Sequence, residues 1–128
     1  MSRLPKIVAY FYGREHFSDL AEMESHIVCY LQEIGVHSYE EPGDVTNGSI
    51  VLFVYEDMVL GDAVIRSLRK LSEGSAKIQF EPKLVRLYPR YPTLDELRDT
   101  WVPKVSPLRT SEELTPEQYV AILKRLVD

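Results

Sequence analysis

The run Lys6-Ile7-Val8-Ala9-Tyr10-Phe11-Tyr12 is β-branched and aromatic and stops at Gly13, which predicts a strand. From Ser18 the apolar period lengthens. Leu20, Met23, Ile27, Tyr30, Leu31 and Ile34 recur every three or four residues, with Asp19, Glu22, Glu24 and Glu33 on the other face, so an amphipathic helix is expected. Ser18 is placed to cap it, Asp19 suits the positive end of its dipole, and Gly35 suits its end. Val36–Glu40 reads as a weaker strand and 41–48 as its turn-rich connection. In Ser49–Tyr55 the residues Ile50 to Val54 are all apolar, the pattern of a strand covered on both faces. Leu60, Val64, Ile65, Leu68 and Leu71 then share a helical stripe, with Arg66, Arg69 and Lys70 off it and Gly74 beyond it, which predicts a second helix. Lys77–Phe80 and Leu84–Tyr88 are short strand candidates on either side of Pro82.

This order, β-α-β-β-α-β, implies one α/β (α+β) domain with a core over residues 1–88. A hairpin between the second and third strands would make it a ferredoxin-like sandwich. A crossover there would make it a three-layer parallel sheet of receiver or flavodoxin type. Residues 89–128 differ in texture. Six of the eight prolines fall between Pro82 and Pro116, so this part is expected to be a proline-rich arm packed on the core, ending in a helix. A short helix is expected around Leu94, Leu97 and Trp101. Thr115-Pro116-Glu117-Gln118 is a capping-box start for the last helix, which lays Tyr119, Ile122, Leu123 and Leu126 on the body.

At 128 residues, 45% hydrophobic and 27% charged, the chain has the composition of a soluble globular domain. No apolar run approaches the ~18–20 residues that span a bilayer, and Met1–Lys6 leads straight into a strand, so a cytoplasmic protein without a membrane partner is expected. The single cysteine, Cys29, excludes an internal disulfide and a Cys-rich zinc site, and its apolar neighbours suggest a small buried side chain.

Charge changes the picture more. Residues 1–60 carry three basic and ten acidic side chains, and residues 61–110 carry ten basic and six acidic. That polarity is stronger than the net charge of −5 and favours oriented docking to charged partners or head-to-tail self-association.

The segment Ile50–Leu71 resembles the receiver domains of response regulators, an apolar third strand followed by a helix entered at Gly61. Where that family carries an acidic pair for Mg²⁺, this chain has Gly13 and Arg14, and Glu81-Pro82-Lys83 reverses the family's Lys-Pro order. The resemblance therefore implies a protein-binding receiver without phosphorylation.

Catalytic apparatus is sparse. There is no GxGxxG, Walker A, GxSxG or HExxH, and His16, His26 and His37 lie apart. The leading expectation is a protein-binding regulatory, adaptor or inhibitor-type protein without a cofactor, rather than an enzyme. Tyr88, Arg90, Tyr91 and Trp101 would be its interface anchors, and Asp19, Glu22 and Glu24 an acidic face that steers a basic partner. The alternative is a Mg²⁺-dependent enzyme or small-ligand or nucleotide sensor using Glu15, Glu40, Glu56 and Asp57 at the strand ends. Nucleic-acid binding through Lys83, Arg86 and Arg90 is disfavoured by the acidic total.

Overall fold

The computed structural model describes residues 5–31, 36–40, 46–72, 75–103 and 111–126. The expected Glu33, Ile34, Gly35, Glu41 and Gly74 features lie outside them. The elements are β1 (Ile7–Tyr12), α1 (Leu20–Ser25) running into a π-helical turn (His26–Leu31), β2 (Val36–Glu40), β3 (Ile50–Tyr55), β4 (Met58–Ser72), β5 (Ser75–Phe80), a 3-10 turn (Pro82–Leu84), β6 (Arg86–Leu87), β7 (Ser111–Leu114) and α2 (Pro116–Arg125). The sheet is mixed, in the order β2-β5-β4-β3-β1-β7, with the short β6 added to β4. β1 and β3 are parallel, Ile7 opposite Ile50 through Tyr12 opposite Tyr55, and the other pairs are antiparallel. No helix among the described residues is long and apolar enough to cross a membrane.

Two apolar layers explain why the centre of the sheet lacks alternation. Val8, Tyr10, Tyr12, Val51, Phe53 and Tyr55 meet Met23, Ile27 and Leu31 on one face. Ala9, Leu52 and Val54 meet Leu97, Trp101, Leu114 and Ile122 on the other. A strand buried on both faces needs apolar side chains at every position, as β3 has. The proline-rich arm and α2 thus form one of the two covering layers, and β7 also extends the sheet beside β1. Around Leu97 the arm makes turns in place of the expected helix.

The expected helix over Leu60–Leu71 is instead β4, so neither the ferredoxin-like nor the receiver-type arrangement is formed. The cause of the helical spacing is a β-bulge. Ile65 pairs with Phe80 and Leu68 with Ile78, and the irregularity between Ile65 and Ser67 inserts a residue. Two residues three apart therefore reach the same face, as they would on a helix. Upstream, Val59, Leu60, Ala63 and Ile65 are all buried, which hides the strand period further. Gly61 is required here, because a Cβ on it would lie 2.1 Å from the Arg86 carbonyl oxygen on β6.

α1 begins one residue later than expected. Asp19 is the N-cap, accepting from the Glu22 backbone N–H at 2.9 Å, while Ser18 bonds to the Glu22 carboxylate. Beyond it the wider π turn keeps Met23, Ile27 and Leu31, four residues apart, on the buried side. It leaves Cys29 exposed, contrary to the buried side chain expected from its neighbours. α2 follows the sequence closely, with both hydrogen bonds of the Thr115–Gln118 capping box formed and Pro116 in the first turn.

Candidate functional site

The parallel pair β1 and β3 ends at one edge of the sheet, beside the start of α1 and the β3–β4 turn. Backbone bonds close this edge. The Gly13 carbonyl accepts from the His16 and Phe17 N–H groups, and the Glu56 N–H donates to the Tyr12 carbonyl. The Tyr55 hydroxyl donates to the Phe17 carbonyl at 2.8 Å, tying the β1–α1 loop to the end of β3. The arm secures the turn from outside, with Val59 N–H donating to the Pro92 carbonyl and Leu94 N–H to the Asp57 carbonyl. Glu56 takes a φ of +54°, a left-handed conformation uncommon for a residue with a side chain.

These segments enclose an open groove of about 940 Å³, lined by Arg14, Ser18, Asp19, Leu20, Tyr55, Glu56, Asp57 and Met58. Its walls carry three carboxylates and one guanidinium. Arg14 approaches Glu56 at 3.7 Å, but with the two side chains 85% and 48% exposed the pair is screened and contributes little. The groove therefore presents a negative field beside the apolar side chains of Leu20 and Met58, chemistry suited to a cationic ligand.

Glu56 and Asp57 line this groove as the strand-end reading expects, but the proposed metal set is not assembled. Glu15 folds back over Gly13 and lies 3.6 Å from His16. Glu40 sits on β2, which pairs with β5 at the opposite edge of the sheet. Among the described residues no three His, Cys, Asp or Glu side chains are grouped to hold a metal ion.

The aromatic anchors are also placed differently. Tyr88 and Trp101 are buried, so they are core residues and not interface anchors. Trp101 stacks on Phe11 and donates its indole N–H to Glu112 at 2.8 Å. Tyr91 donates its hydroxyl to Glu24, and Arg90 bonds to Glu96 and to the Arg125 carbonyl. Tyr88 and Trp101 pack inward because the arm covers one face of the sheet, whereas Tyr91 packs against the other layer, beside α1. Of the acidic face, Asp19 lines the groove while also capping α1, and Glu22 and Glu24 are engaged with Ser18 and Tyr91.

One polar cluster was missed by sequence reasoning. Asp62, the only buried charged residue among the described residues, lies on the arm-covered side of β4. Its carboxylate accepts from Arg86 Nε at 2.7 Å and Nη2 at 2.9 Å, from the Tyr88 hydroxyl at 2.6 Å and from the Tyr119 hydroxyl at 2.8 Å. It thereby joins β4, β6 and α2. Burial, reinforced by the adjacent carboxylate, pushes the Tyr88 hydroxyl well above its ordinary value and that of Tyr119 up to about 12. The available signal was a lone acid inside the run Val59–Ile65, because a charge buried in a core strand requires partners.

No family model matches the sequence, and no curated protein matches it by sequence. Solved structures do. An ASCH protein from Zymomonas mobilis superposes with a TM-score of 0.66 at 13% identity, over 93% of this chain and 94% of that one. The fold is ASCH-like. A protein from Pseudomonas putida gives a TM-score of 0.62 at 14% identity, over 94% and 99% of the two chains. A hypothetical protein from Leishmania major gives 0.60 at 13%, over 97% and 96%. These overlaps describe an α+β domain with a mixed sheet and two helices, and at such identities the likeness is one of fold.

Proposed function

We propose that this ASCH-like domain is a binding module of regulatory, adaptor or inhibitor type that receives a basic segment of a protein partner in the groove at the ends of β1 and β3. The carrying observation is the composition of that groove, in which Asp19, Glu56 and Asp57 outnumber Arg14 on the walls of a space of about 940 Å³. Such a volume holds a few lysine or arginine side chains, and the field accelerates their approach. The docking surface differs from the aromatic one expected from the sequence, since the arm's rings are occupied within the fold. The test is capture of partners from native lysate at low and moderate salt by wild type and by Glu56→Gln/Asp57→Asn. Proteins held by wild type, released by salt and lost from the variant support the reading. Identical sets of bound proteins from the two refute it.

A second reading rests on the opposite end of β4. There Arg69 lies directly across from Lys77, both exposed, on a sheet face shared with Ser67 and Gln79. Like charges facing each other across strands are unfavourable unless an anion lies over them. A nucleic-acid phosphate backbone has the required charge. By contrast, Arg86 and Arg90 of the sequence-based basic set are held by Asp62 and Glu96. Arg69→Gln/Lys77→Gln would lower the affinity for a single-stranded RNA and flatten its salt dependence. Equal binding by both proteins removes this reading.

A further inference from the structure

The outward face of α2 has a self-complementary pattern. Ile122, Tyr119, Leu123 and Leu126 turn toward the core of the arm-covered layer. On the other side Glu117, Val120, Ala121 and Lys124 follow the spacing of one helix face, and with Pro116 they line a shallow depression of about 360 Å³. Val120 is 48% exposed, an apolar side chain at the centre of this face. No ion pair among the described residues involves Glu117 or Lys124.

The order of the four residues selects the occupant. When two copies of this helix lie antiparallel about a twofold axis between Val120 and Ala121, Glu117 of each copy meets Lys124 of the other. Val120 of each then meets Ala121 of the other. The acid lies in the first turn and the base in the last, so antiparallel alignment also places opposite helix-dipole ends together. A parallel pair would set Glu117 against Glu117 and Lys124 against Lys124 and is disfavoured by charge. The small Ala121 permits close approach of the axes, at about 8–10 Å. We infer that the protein self-associates through α2 as an antiparallel, twofold-symmetric pair. The contact is isologous, so it closes at the dimer. Ten residues provide only about 15 Å of helix, which sets a weak, concentration-dependent association.

Sedimentation velocity from about 10 µM to about 1 mM, at low ionic strength, tests this. Wild type shifts from monomer toward dimer across the range. Glu117→Lys and Lys124→Glu each weaken self-association about tenfold or more, because each places like charges at both ends of the contact. An equimolar mixture of the two variants forms a heterodimer, since every end contact again joins opposite charges, and the Glu117→Lys/Lys124→Glu double variant recovers the homodimer. Val120→Glu, which leaves the helix cap and both end charges intact, abolishes association and provides the test if a charge variant fails to fold. A wild type that stays monomeric at the highest concentration overturns the inference. So do Val120→Glu dimerising like wild type and folded single variants whose mixture does not associate.

Discussion

Asp62 provides the sharpest test of how the covering layer is held on the sheet. Asp62→Ala removes the acceptor of four hydrogen bonds from a site with 4% residual exposure. The Tyr88 hydroxyl is buried and would be left without its partner, at about 1–3 kcal/mol. The Arg86 side chain is 53% exposed and can turn to water, so its lost ion pair contributes only about 0.5–1 kcal/mol. Tyr119 is half-buried and adds about 0.5–1 kcal/mol. A loss of about 3 kcal/mol is expected, which for a domain of this length lowers Tm by about 10 °C or more. Urea unfolding followed by tryptophan fluorescence measures it, since Trp101 is the only tryptophan and lies in the same buried layer. Because the orphaned tyrosine hydroxyl carries most of the loss, Tyr88→Phe should make the second change milder. The double variant Asp62→Ala/Tyr88→Phe is then less destabilised than the two single effects added together. A single-variant loss below about 1 kcal/mol, or strict additivity in the cycle, would refute the reasoning.

Gly61→Ala forces a Cβ against the Arg86 carbonyl, 2.1 Å away, and should destabilise by about 2–4 kcal/mol through displacement of β6; urea unfolding checks it, and a neutral result removes the close approach. Stability should also fall in alkali. The folded-state value of Tyr119 is raised from 10.0 to about 12, so its contribution is complete below pH 10.0 and is lost as pH rises through about 12, with Tyr88 shifted in the same direction. Thermal melts across that window should fall less steeply for Tyr119→Phe than for wild type, and equal slopes would contradict the assignment.

The legible parts of the fold were those in which local chemistry and tertiary packing agree. β1 and β3 announce themselves as continuous apolar runs because both of their faces are covered. The Thr115–Gln118 box marks the start of α2 because its bonds close within four residues. Glu56 and Asp57 could be assigned to the strand edge, since the end of β3 was evident. Glu40 could not be placed relative to them, because strand order is absent from the local pattern.

β4 was hidden by its own bulge, which gives Ile65 and Leu68 a helical separation while they face the same layer. The aromatic arm misled for a related reason. Tyr88 and Trp101 have the composition of interface anchors, and only the docking of the arm over Ala9, Leu52 and Val54 makes them core residues. The carboxylate of Asp62 finds its partners at Arg86, Tyr88 and Tyr119, far along the chain. Side-chain polarity and short-range hydrogen bonds are enough to mark which segments must be buried, where the last helix begins and how charge is divided along the chain. The pairing of β4, the burial of the aromatic arm and the assembly of groove and polar cluster emerge only in the folded chain, because each depends on contacts between residues that no local period connects.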